Sequence, residues 1–149
     1  MHQRLLALAL ICSASAPLVA QESAPAPVPS PAARLDSAAT IELGRRYTEW
    51  FYSDLGDSLV AHSSAQVKEK ITAAQLSEFL AQLVSQVGNE VSVVAESVVA
   101  KDTLTGYLRE AEFEMIDEPL VVAFTIGGNG DIYGFFIRPK SQMPAAQPN

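Results

Sequence analysis

The sequence predicts an α+β fold: two to three N-terminal helices packed on one face of a four-stranded antiparallel sheet, in a cone-like arrangement. Three observations carry this reading. Apolar residues recur at helical spacing between Asp36 and Val87. Period-two alternation takes over from Val91. Helices come first and strands follow one another, an order that favours segregated layers over alternating βαβ units.

From the beginning, Met1 to Ala20 has a polar start with Arg4, an apolar run from Leu5 to Ile11 and a small-residue region ending Leu18-Val19-Ala20. This predicts a secretory signal peptide over residues 1–20 and a periplasmic or extracellular destination. Cleavage after Ala20 is favoured, because cleavage after Ala16 would leave Pro17 at the next position. Cys12 follows Ile11, where a lipid-attachment signal carries a small residue. Cys12 is the only cysteine, so the mature chain is expected to have no disulfide, thiolate metal site or cysteine nucleophile. Loss of Arg4 leaves 9 basic against 17 acidic residues, a net charge of −8 in place of −7. Such an acidic chain repels nucleic acid and anionic lipid. No second apolar run is long enough to span a bilayer as a helix.

Residues 21–34 carry Pro25, Pro27, Pro29 and Pro31 among Ala and Ser, the composition of a disordered, extended linker. One domain is expected over residues 35–139 and a disordered tail over 140–149. The first helix is placed from about Asp36 to Tyr52, with Ala39, Leu43, Tyr47, Trp50 and Phe51 inward, a Glu42–Arg46 pair outward and Asp36 or Ser37 as cap. A short second helix is expected with Asp57 as its N-cap. Thr72-Ala73-Ala74-Gln75 reads as a capping box. It opens a helix with the stripe Leu76, Phe79, Leu80, Leu83 and Val87, stopped by Gly88 in a left-handed conformation.

Val91 to Ala100 is the first strand, and its alternation slips near Val94, which marks a bulge. After a turn at Lys101-Asp102-Thr103, the side chains of Tyr107, Arg109, Ala111, Phe113 and Met115 share one face, and Leu108, Glu110, Glu112 and Glu114 the other. Ile116 to Pro119 is read as the next turn. Leu120 to Ile126 is an apolar central strand, Gly127 to Asp131 a hairpin turn built on Asn129-Gly130, and Ile132 to Arg138 the last strand, ended by Pro139.

The aromatic first helix, the capped helix ending at Gly88, the Tyr107 strand, the Leu120–Ile126 strand, the Gly-Asn-Gly-Asp turn and the segment Asp131 to Pro139 together resemble domain of unknown function 3887. The match covers about Ile41 to Pro139. That resemblance implies a small domain of the nuclear-transport-factor-2-like or cystatin-like kind, often exported. It brings no catalytic motif, so no functional residue is carried over from it.

Chemistry-bearing residues are few. His62 is the only histidine of the expected mature chain, so a multi-histidine metal site is excluded, and it is placed at the close of the short helix. No cofactor, metal site or catalytic residue is expected. The glycine run lacks the lysine and hydroxyl of a phosphate loop. Tyr47, Trp50 and Asp54 fall on one helical face, as a phenol and carboxylate that could serve an enolising enzyme, or as core aromatics beside a solvated helix end. Arg109 is the one charge whose parity places it among core residues. It requires a buried carboxylate partner or an anionic ligand, with Tyr107 beside it as a donor.

Three functions compete. The first is a non-enzymatic, exported binding module using Arg109, Tyr107, Tyr47, Trp50 and Asp54 for a small apolar or anionic ligand, or a protein partner in the cell envelope. The second is a small isomerase or dehydratase with a Tyr/Asp/Arg pocket. The third is a structural domain that forms a homodimer through the sheet face.

Overall fold

The computed structural model describes residues 33–144, so the expected leader and nearly all of the proline-rich linker lie outside the described residues. The order is α1 (Ser37–Tyr52), α2 (Gly56–Ala61), α3 (Ala65–Lys68), α4 (Ala73–Val87), β1 (Glu90–Lys101), β2 (Leu104–Phe113), β3 (Ile116–Gly127) and β4 (Ile132–Pro139). The strands form one antiparallel sheet in the order β1-β2-β3-β4, covered by helices on one face. This is the α+β layout expected. Among the described residues no helix is long and apolar enough to cross a membrane.

In α1 the Asp36 carboxylate caps the start by accepting from the Ala39 N–H at 2.8 Å. The end closes with a paired motif: Leu55 N–H reaches the Trp50 carbonyl at 2.8 Å and Asp54 N–H the Phe51 carbonyl at 3.2 Å. Asp54 takes the left-handed position of that motif, with φ 57°. The closure carries the chain through Leu55, so α2 starts at Gly56, and Asp57 lies in its first turn instead of capping it. There its charge still complements the helix dipole. The additional helix, α3, is a single turn, too short to show a period.

The buried face of α1 is Thr40, Gly44, Tyr47, Thr48 and Phe51, rotated from the expected stripe toward small residues. The Tyr107 ring of β2 lies directly on Gly44: a β-carbon there would sit 2.1 Å from the ring. The flanking threonine hydroxyls satisfy themselves within the helix, Thr40 donating to the Asp36 carbonyl at 2.7 Å and Thr48 to the Gly44 carbonyl at 2.8 Å. Below, Phe51, Phe79, Phe124 and Phe135 form an aromatic cluster with centroids 4.7–6.0 Å apart, which joins α1 and α4 to β3 and β4.

In α4 both hydrogen bonds of the Thr72–Gln75 capping box are present. Gly88 ends the helix with the positive φ expected, 77°, but its ψ of −166° is extended, not left-handed helical. Only glycine occupies that region at little cost. A β-carbon there would also meet Glu114 at 2.7 Å.

Val94 is a bulge, as its slipped alternation indicated, and a second register shift falls between Glu90 and Ser92. In β2 the expected parity holds for Tyr107, Ala111 and Phe113, which are buried. Met115 departs from it and is 62% exposed, because β2 stops at Phe113 and the turn is Glu114–Met115. β3 therefore begins at Ile116, and Pro119 sits where the register slips between the Ala111–Leu120 and Phe113–Ile116 pairs. At the β3–β4 turn Gly130 N–H reaches the Gly127 carbonyl at 2.9 Å, with φ 88° at Gly130. The tail expected to be disordered from residue 140 instead makes a 3-10 turn at Lys140–Gln142. It is tied down by Lys140 to Glu110 at 2.6 Å and by the Ser141 N–H to Glu118 at 2.9 Å.

Two substitutions probe these close approaches. Gly44→Ala should improve helix propensity by about 1 kcal/mol yet destabilise the protein by about 2 kcal/mol net, since the ring cannot retreat into a packed sheet. Gly88→Ala should cost about 2 kcal/mol through strain and the Glu114 contact. Urea unfolding midpoints check both, and a raised midpoint for Gly44→Ala contradicts the packing described.

Candidate functional site

The two bulges of β1 cancel in parity, so Glu90 and Glu96 both lie on the helix-covered face, opposite Phe113 and Arg109 of β2. Arg109 donates through Nε and Nη2 to Glu90, the Nε contact at 3.2 Å, and its Nη1 lies 3.6 Å from Glu96. The three side chains are only 18%, 13% and 14% exposed. Arg45 of α1 reaches both Glu96 oxygens through Nε at 3.0 Å, and the Tyr107 hydroxyl donates to the same carboxylate. The Tyr52 hydroxyl donates to Glu90 at 3.0 Å. Two guanidiniums, two carboxylates and two phenols thus form one charge-balanced cluster joining α1, β1 and β2.

Its electrostatics are those of a closed network. The Arg45 hydrogen bond draws the Glu96 carboxyl below the usual carboxylate range, against the opposing effect of burial. Burial, then the bond to Glu96, pushes Tyr107 up to about 12. Burial also raises Tyr52, reinforced by the Glu90 charge. Burial is the largest single influence on Arg109 and opposes its charge, but the Glu90 hydrogen bond and the neighbouring negative charge outweigh it and raise its pKa. The phenols therefore stay neutral and the guanidinium stays charged at physiological pH.

Of the five residues singled out in the sequence, Tyr107 and Arg109 meet in this cluster. Tyr47 is 1% exposed and its hydroxyl donates to the Gly130 carbonyl at 2.6 Å. Trp50 is half-buried between Tyr47 and His62, at centroid distances of 5.6 and 4.9 Å. Asp54 is exposed and accepts the Ser77 hydroxyl at 2.5 Å. The expected Tyr/Asp/Arg pocket is thus not assembled. Asp54 lies past the last turn of α1, and its positive φ swings the side chain toward α4. His62 closes α2 as expected, with Nδ1 3.0 Å from the Ser58 carbonyl.

Glu90, Tyr52 and Arg45 were not singled out from the sequence. The signal was available in the even spacing from Glu90 to Glu96, but Glu90 stands one residue before the expected strand start at Val91. Among the described residues no three His, Cys, Asp or Glu side chains gather as a metal-ligand set.

Open space lies elsewhere. A groove of about 580 Å³ runs between α4 and the ends of β3 and β4, lined by Phe79, Leu83, Met115, Leu120 and Ile137 among others. A second, of about 500 Å³, lies on the sheet face away from the helices, lined by Ala95, Ser97, Val99, Leu108, Glu110, Val121, Lys140, Met143 and Pro144. The stripe Glu110, Glu112 and Glu114 in the sequence implies a polar, water-facing surface there. It proves more apolar: Val121 and Ala123 there are 4% exposed, and Arg138 stacks over Phe136 at 4.2 Å. Comparison with family models, curated proteins and solved structures gave no match.

Arg109→Met keeps the apolar stem but strands Glu90, and should lower stability by about 3 kcal/mol. A loss below about 0.5 kcal/mol would mark the pair as merely superficial. The lowered Glu96 pKa sets the sign of a pH effect. Its contribution is fully present above the ordinary value of 4.5 and is lost as pH falls through the folded value. Glu96→Gln should therefore be less stable than the parent at neutral pH, with the gap closing progressively as pH falls below 4.5. Thermal melts across that range check it.

Proposed function

We propose that the protein is an exported, non-enzymatic binding module that holds a small apolar ligand on the open face of its sheet. The observation that carries this reading is the groove of about 500 Å³ floored by Leu108 and Val121 and edged by Val99 and Met143. Its size falls within the range of small-molecule sites, which are lined mainly by apolar groups with a few polar ones for orientation. Lys140 and Glu110, paired at 2.6 Å, supply that polar end.

The leader-like first 20 residues and the likeness to domain of unknown function 3887 support export and a role without a fixed catalytic motif. The isomerase or dehydratase alternative needs Tyr47, Asp54 and Arg109 around one substrate. Their polar atoms instead bond to Gly130, Ser77 and Glu90.

The test uses 1-anilinonaphthalene-8-sulfonate as an apolar probe of the folded full chain. Its fluorescence should rise with saturation at one site. Leu108→Glu, which places a charge on the groove floor, should weaken binding at least about tenfold with the far-UV spectrum retained. Arg109→Met, on the opposite face of the same strand, should leave binding per folded molecule unchanged. Binding that survives Leu108→Glu, or fails with Arg109→Met alone, overturns the reading.

A further inference from the structure

The two edges of the sheet are treated differently. At the β4 edge, Ile132 N–H bonds to the His62 carbonyl and Ser64 N–H to the Ile132 carbonyl, each at 2.8 Å, and Pro139 ends the strand without a donor. At the other edge, β1 pairs with β2 alone among the described residues. Its bulges disturb only the first half. From Ala95 to Lys101 the register is unbroken, and the strand exposes Val99 at 57%. An uncovered, regular, apolar edge is a pairing template that isolated proteins normally blunt.

We infer that a second copy of this chain covers that edge, the two β1 strands pairing antiparallel about a two-fold axis at Ser97 to make one continuous sheet from the two four-stranded ones. The strand is complementary to itself in this register. Ser97 faces its own copy, and Val99 of each chain lies opposite Ala95 of the other, all three on the helix-free face. The extra residue at Val94 offsets the pairing beyond it by one position. Lys101 therefore comes opposite Ser92, whose hydroxyl bonds to Glu112 at 2.7 Å. Each copy thus offers the other a lysine and a carboxylate, and among the described residues Lys101 has no ion-pair partner within its own chain. Face-to-face pairing of the sheets would leave the backbone N–H and C=O groups of the β1 edge unpaired, so the dimer expected is edge to edge.

Sedimentation velocity on the full chain over a concentration series should show a monomer–dimer equilibrium. Ser97→Cys, made with Cys12→Ser, should cross-link to a dimer under mild oxidation or with a short bis-maleimide, while Ser85→Cys on exposed α4 should not. Glu112→Lys should weaken dimerisation at least about tenfold, and adding Lys101→Glu to the same chain should restore it. Leu108→Glu, which empties the groove, should leave the dimer intact, so this inference and the ligand reading fail separately. A monomer up to the solubility limit, a dimer that does not cross-link through residue 97, or a charge reversal without effect or without rescue each overturns it.

Discussion

The distance between the helical layer and the sheet is set by a tyrosine ring resting where α1 has no β-carbon. With Gly44 beneath it, the Tyr107 ring packs against the helix backbone and is fully buried, as are Thr40 and, nearly so, Thr48 beside it. A larger residue at position 44 would lift α1 off the sheet and separate the Phe51, Phe124 and Phe135 rings. The same close approach lets the Tyr107 hydroxyl pass beyond the helix to Glu96. The packing contact and the charge cluster are thus one construction, with the ring as its apolar half and the hydroxyl as its polar half.

The cluster has an unusual task. β1 is exposed along most of its length, and the side chains that tie it inward include two carboxylates, Glu90 and Glu96. A strand with so little apolar burial gains little from the hydrophobic effect. Its ion pairs lose hydration on burial, which offsets much of their attraction, but they tolerate no slip: a one-residue shift would leave two buried charges without partners. They serve the choice of register more than the depth of the energy well.

Much of this was legible because local rules and tertiary packing agreed. The Thr72–Gln75 capping box, the Glu42–Arg46 pair, the Val94 bulge and the parity of Tyr107 through Phe113 are set by neighbours in sequence, and all are present. The misplacements have a common cause in side chains chosen by distant partners. Thr40 and Gly44 form the inner face of α1 because Tyr107 needs room, which no helical period of apolar residues reveals. The turn at Glu114–Met115 displaced the expected one because Asn89 N–H binds the Glu114 carboxylate at 2.8 Å, a contact 25 residues away in sequence. Arg109 was recognised as anomalous by parity alone, but its main partner, Glu90, lay just outside the expected first strand, which starts at Glu90 and not at Val91.

The Tyr47 hydroxyl closes on the Gly130 carbonyl across 83 residues of chain. All helices precede all strands, so α1 emerges during synthesis long before the surface that holds it. Its partners, Tyr107 and the Gly130 turn, lie in the last third of the sequence. Closing loops of that length costs entropy before any contact repays it. A nascent chain that ends before β2 therefore has no native layer for α1 to join. The order of the elements keeps such a chain loosely structured until the sheet strands that receive α1 have been made.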